Sequence, residues 1–232
     1  MIELLHPAFA IGLLVGFRHA FEPDHLAAVT TLATRERGLA SAARLGLASA
    51  ARLGLAWGAG HTASVAVVAT LLIVLRIHVP ERFYRAAELL VAALLVLLGV
   101  GTILSEMREH RRALGAPHAH AHAGRVPHQH PPTMRSAMRA LGFGVAHGLA
   151  GSGAIVVLLV AASSRVSEQA TYLTAFGLGT IVGMCAVSWL TGATAGSIAR
   201  THRLATSVMR VSAACVSIGV GGMLGVATIG PW

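Results

Sequence analysis

Gly16-Phe17-Arg18-His19-Ala20-Phe21-Glu22-Pro23-Asp24-His25-Leu26 sets five ionisable side chains within the eight residues from Arg18 to His25. Its flanks, Ala8 to Val15 and Leu26 to Ala33, are mostly apolar, so Ala8–Ala33 reads as one run through the cluster. A run of that length crosses a bilayer, which takes about 20 residues at 1.5 Å rise each. An ionisable group at that depth costs roughly 2.5–3.5 kcal/mol on insertion scales, so five together mark a site. Asp24 is the chain's single aspartate. On an unbroken helix His19 and His25 would stand about 9 Å apart along the axis and roughly 120° apart around it. Pro23 lacks an N–H and clashes with the carbonyl of His19, so a broken turn is expected there. Such a turn brings His19, Asp24 and His25 toward one point and frees a carbonyl as an extra oxygen ligand. Imidazole and carboxylate without thiolate suit borderline divalent ions such as Ni²⁺, Co²⁺ and Zn²⁺. The bland alternative is an interfacial helix end whose polar residues are solvated.

The whole composition agrees with a membrane setting. The 232 residues are 55% hydrophobic and 12% charged, with a mean hydropathy of +0.69. Six apolar runs are expected to be spanning helices: Ala8–Ala33, Leu53–Val74, Ala86–Leu104, Ala137–Ala162, Ala170–Ala193 and Thr206–Ile229. The fold class is therefore an all-α polytopic membrane protein with a single membrane domain, 1–232. All 18 basic residues are Arg, and they fall mainly in the gaps between runs. Thirteen lie in the first, third and fifth connections or, for Arg139 and Arg210, just inside the run that follows, and four in the second and fourth, while the termini carry none. The positive-inside rule then puts the odd connections in the cytoplasm and both termini outside. Orientation in a lipid bilayer accounts for the net charge of +9, and nucleic acid is not expected as a partner. No cleavable leader is expected, because the N-terminus lacks a positive region and the first run carries the cluster. Cys185 and Cys215 lie in apolar runs and read as small hydrophobes.

Further motifs follow in order. Residues 41–48 and 49–56 are the same octad, Ser-Ala-Ala-Arg-Leu-Gly-Leu-Ala, in tandem, read as a local duplication lengthening a cytoplasmic segment. Leu53-Gly54-Leu55-Ala56-Trp57-Gly58-Ala59-Gly60-His61-Thr62 has the small residues that let helices meet closely. That brings His61 toward the first run, with Thr62 steadying it. Pro117 to Pro132 alternates His118, His120, His122, His128 and His130 with small residues and prolines. It reads as a disordered tract that either gathers metal at the cytoplasmic face or serves as a plain linker. The fourth run opens Gly142-Phe143-Gly144-Val145-Ala146-His147-Gly148-Leu149-Ala150-Gly151-Ser152-Gly153, a second glycine-rich, broken or tightly packed helix. Placing His19 on His147 sets Asp24 on Ser152. Placing Ala56 to Gly60 on Ala175 to Gly179 sets His61 on Thr180. With three spans per half, residues 1–104 and 137–232 would insert with opposite topology as a 3+3 inverted repeat. A His-rich cytoplasmic loop, 105–136, would join them, and substrate would sit between the halves.

The segment His19-Ala20-Phe21-Glu22-Pro23-Asp24-His25 resembles the signature of the nickel/cobalt transporter family, a His, four residues, then Asp-His. Arg18 to His25 is most similar to the family's short branch, the urease accessory protein H group. Leu53 to Thr62 and His147-Gly148-Leu149-Ala150-Gly151-Ser152-Gly153 resemble that branch's later motifs. Glu22-Pro23 stands where the common family form has Asp-Ala. The resemblance implies an inner-membrane permease for Ni²⁺ or Co²⁺, with a cytoplasmic metallochaperone or urease maturation proteins as partners. The expected metal residues are His19, Glu22, Asp24, His25 and His61, with His147 as a further ligand or a gate; Arg18 beside them would either neutralise Glu22 or repel the cation once protons have neutralised the site. Bound imidazoles must be neutral, so protonation would release the ion. No prosthetic group and no catalysis are expected: no Gly-x4-Gly-Lys nucleotide loop and no His-Glu-x-x-His occur. Two other readings are a membrane acyltransferase using His19 and Asp24, and a non-transporting metal sensor or delivery protein built on the His-rich tract.

Overall fold

The computed structural model describes residues 7–35, 43–75, 80–115, 137–150, 165–201 and 203–230. Every regular element among them is a helix: α1 Pro7–His19, α2 Pro23–Arg35, α3 Ala43–Leu75, α4 Glu81–Gly115, α5 over 137–150, α6 Val166–Thr201 and α7 Arg203–Ile229. Four stretches are long and apolar enough to cross a membrane: Ala48–Leu75, Glu81–Arg111, Val166–Ile198 and Leu204–Ile229. Leu97, Leu190, Met223 and Val226 point outward from them, a surface suited to lipid rather than water.

The first apolar run is broken where Pro23 requires it. α1 ends at His19, and two tight turns follow, Phe21 N–H to the Arg18 carbonyl (2.9 Å) and Glu22 N–H to the His19 carbonyl (3.1 Å). Pro23 then takes the first position of α2, where its missing N–H costs nothing, and Leu26 N–H reaches the Glu22 carbonyl at 2.9 Å. The His19 carbonyl is thus engaged by Glu22, which corrects the expectation of a free oxygen ligand. Each half is 13 residues, about 20 Å of helix and too short to cross alone. Of the fourth run only 137–150 is described; Ser152, Ser163 and Ser164 lie outside the described residues, as does the His-rich tract. The third run continues as helix to Gly115, beyond its expected exit at Leu104.

Packing is organised by glycines that let backbones touch. α1 lies on α6, α5 on α3, α3 on α6 and α4 on α7, with α2 wedged against α4, α6 and α7. The contacts come in matched pairs. Gly16 faces the Phe176 carbonyl, and Gly144 faces that of Trp57. Gly60 faces the Leu141 carbonyl and Val145 nitrogen, and Gly179 those of Leu13 and Phe17. Gly99 faces the Ala214 carbonyl and Ile218, and Gly221 that of Ala92 and Val96. Constant shifts relate the members: 128 from α1 to α5, 119 from α3 to α6 and 122 from α4 to α7.

The ends of α4 and α7 are tied by the same correspondence. Arg210 donates from Nη1 to Glu106 at 2.8 Å and from Nε to the Thr34 carbonyl at 2.9 Å, fixing the end of α2. Ser207 adds a hydroxyl to Glu106 at 3.1 Å. At the opposite end Thr228 Oγ1 reaches Glu88 at 3.1 Å; the shift of 122 carries Glu88 onto Arg210 and Glu106 onto Thr228. Arg210→Lys keeps the charge but cannot reproduce the two-directional fork. We expect it to lower stability by about 1–2 kcal/mol, against about 2–4 for Arg210→Ala, which leaves Glu106 with the Ser207 hydroxyl but no counter-ion. Thermal unfolding in detergent checks this, and equal melting temperatures for wild type and Arg210→Ala would contradict it.

Candidate metal centre

Four elements deliver one imidazole or more to a common point. α1 ends on His19, and the turn returns the chain so that α2 opens with Asp24 and His25. α3 carries His61 at mid-length, and α5 carries His147. The approach of α5 depends on Gly148, which lies against the His61 carbonyl and Ser64. All four imidazoles are buried. The ring centroid of His25 lies 4.3 Å from His19, 5.2 Å from His61 and 4.3 Å from His147; His19 and His61 are 5.3 Å apart.

Two carboxylates hold these rings from behind. Glu22 Oε2 accepts from His19 Nδ1 at 3.0 Å. Asp24 divides its oxygens, Oδ1 to His25 Nδ1 at 3.0 Å and Oδ2 to His147 Nε2 at 2.9 Å. An ionised carboxylate only accepts, so each of those ring nitrogens carries the proton. The Nε2 lone pairs of His19 and His25 are then left facing inward. A carboxylate behind a ligating imidazole is the usual way to fix its tautomer and raise its basicity.

Those inward nitrogens have no protein partner among the described residues. His19 Nε2, His25 Nε2 and both ring nitrogens of His61 are buried without a hydrogen bond. One nitrogen from each of these three residues lies within 4.8 Å of the other two. A buried unsatisfied polar group costs about 1–3 kcal/mol, so three such imidazoles with nitrogens within 4.8 Å of one another suit a bound cation better than a packed core. Neutral imidazoles favour Ni²⁺, Cu²⁺, Zn²⁺ or Co²⁺ over Mg²⁺ or Ca²⁺. Asp24, His25 and His147 form a second group of the same spacing that shares His25.

All six residues singled out in the sequence come together, but their parts differ from the expectation. Asp24 stands between His25 and His147 instead of facing the three open nitrogens. Glu22 is held by His19, while Arg18 is exposed and makes no ion pair with Glu22 among the described residues. Thr62 Oγ1 donates to the Gly177 carbonyl at 3.2 Å and so ties α3 to α6 rather than steadying His61. The His19–Asp24 dyad of an acyltransferase is not made, since each residue is engaged elsewhere. Sequence reasoning missed Phe176 and Trp57, whose rings lie 5.3 Å from His19 and 5.8 Å from His147; their equivalence in the alignment of α3 with α6 was the available signal.

Over 202 residues the chain is 29% identical to the urease accessory protein UreH of Bacillus sp. (strain TB-90), covering 87% of this chain and 83% of that protein. No protein-family model matches the chain, and no solved structure matches it significantly.

Proposed function

We propose that this chain is a membrane permease for a divalent transition metal, Ni²⁺ first and Co²⁺ second. The observation that carries the reading is the convergence of buried, unpartnered nitrogens from His19, His25 and His61. The ion is the cargo and is coordinated there, with Glu22 and Asp24 orienting the imidazoles. The relative is a urease accessory protein by name, the branch of nickel/cobalt transporters that the sequence motifs resemble, and this supports nickel.

The matched glycine contacts support a 3+3 inverted repeat. α1 with α2, α3 and α4 form one half, residues 1–104. The fourth run, α6 and α7 form the other, residues 137–232. The ion then sits at the interface of the halves, the usual place in such transporters. The first half supplies His19, Asp24, His25 and His61, and the second answers with His147 and Thr180. On this reading the protein spans the inner membrane six times, with both termini outside and the His-rich connection, 105–136, in the cytoplasm next to a metallochaperone or urease maturation proteins.

Flux of radiolabelled Ni²⁺ and Co²⁺ into vesicles tests the proposal. His19→Ala, Asp24→Asn and His61→Ala should each reduce flux at least about tenfold, the lower range for loss of a ligand or its carboxylate support. Unchanged flux in all three would end it. Removal of residues 117–132 separates a permease, which keeps its flux, from a sensor that works through that tract.

A further inference from the structure

Two aromatic side chains lie against the imidazole cluster without serving ion chemistry. Phe176 is tilted 43° to the His19 ring at 5.3 Å, and Trp57 is tilted 56° to the His147 ring at 5.8 Å. Both are 1% exposed. The two pairs are equivalents: the shift of 119 carries Trp57 onto Phe176, and the shift of 128 carries His19 onto His147. Their backbones obey the same rule, through the contacts with Gly144 and Gly16.

The rings lie on opposite sides of the site. α3 and α6 are antiparallel: Gly54 meets Met184, Gly58 meets Ile181, and Thr62 bonds to Gly177. Gly60 and Gly179 therefore fall at one level, near the middle of the crossing, with His61 and Thr180 one residue beyond it on their own helices. Trp57 lies one turn before His61, and Phe176 one turn before Thr180, each about 6 Å along its own helix. Because the helices oppose, one ring is displaced toward the N-terminal end of α3 and the other toward its C-terminal end. Each is backed by a second ring, Trp57 by Phe143 (6.1 Å, 4°) and Phe176 by Tyr172 (6.4 Å, 13°). The Trp57 Nε1–H has no acceptor among the described residues.

Apolar constrictions close a pathway by excluding the water that an ion needs. We propose that Trp57 and Phe176 are the paired closures of the ion site, each barring one face of the membrane. One must swing aside for ion to enter and the other for it to leave. This rests on the permease reading and goes beyond it, because it assigns the barriers to two named rings.

The test uses the full-length protein with Trp57→Ala, Phe176→Ala and the double variant. Ni²⁺ affinity is measured by calorimetry in detergent, and passive Ni²⁺ efflux is measured from preloaded proteoliposomes. All three variants should bind Ni²⁺ within about threefold of wild type, and the double variant should leak at least about tenfold faster. Each single variant, with one barrier left, should leak little. The milder pair Trp57→Phe with Phe176→Leu, which removes less volume, is the reserve should the alanine variants not fold, and it should leak to an intermediate degree. Normal binding with wild-type efflux in the double variant, or lower thermal stability without leak, overturns the closures while leaving the permease standing. Absence of Ni²⁺ binding by the wild type overturns the permease reading instead.

Discussion

Replacing His25 by Ala is expected to abolish useful ion binding, lowering Ni²⁺ affinity about a thousandfold, beyond the 10–100-fold typical of losing a group behind a ligand. The reason is topological. Among the described residues, His25 alone belongs to both imidazole groups, the one with His19 and His61 and the one with Asp24 and His147. Its loss removes an inward Nε2 and also strips Asp24 of one of its two imidazole partners. Asp24→Asn should be milder, about 10–100-fold, since the carboxylate acts through rings it orients. Calorimetric titration of the purified variants ranks them, and a His25→Ala protein weaker than wild type by less than threefold would remove His25 from the centre.

The second large effect concerns stability. A Cβ on Gly144 would run into the Trp57 carbonyl, and the nearest obstacle is backbone, which cannot rotate away. Gly144→Ala should therefore force α5 off α3 and cost about 2–3 kcal/mol, at the upper end for overpacking; Gly144→Val should fail to yield folded protein. Gly142, half a turn away on the same helix, has nothing among the described residues within 4 Å of such a Cβ. Gly142→Ala should instead stabilise by about 0.4–1 kcal/mol, the gain for replacing a helical glycine where space allows. Thermal unfolding of the two alanine variants side by side decides it: like shifts in the same direction would refute the close-contact account.

The break at Pro23 was legible because a missing N–H and a ring clash act locally, whatever surrounds them. The meeting of His19, Asp24 and His25 followed from that break. His61 and His147 were legible only as residues out of place on apolar helices, since their approach depends on glycine contacts made over 80 or more positions of sequence. The division of roles was not legible. Which oxygen faces which ring depends on side-chain directions at the turn, and a sequence motif names groups without aiming them. For the same reason Thr62 was misread: one residue from His61, it lies on a different face of α3 and meets α6. Trp57 and Phe176 were paired by the alignment of Ala56 to Gly60 with Ala175 to Gly179, but nothing in it set either ring against an imidazole.

The same numerical relation carries a consequence for ancestry. His19 to His61 spans 42 positions and His147 to Thr180 spans 33, so on the proposed repeat the leading unit would be nine residues longer between its first two runs. The tandem Ser-Ala-Ala-Arg-Leu-Gly-Leu-Ala supplies eight of those nine. On the repeat reading, the gene joined two units of nearly equal length, and a later stutter in copying enlarged only one. Excising residues 41–48 would restore the older spacing while leaving every residue from 49 onward unchanged. Such a shortened protein should insert, melt and carry Ni²⁺ like its parent; a loss of any of the three would mean the extra turns have since acquired a task.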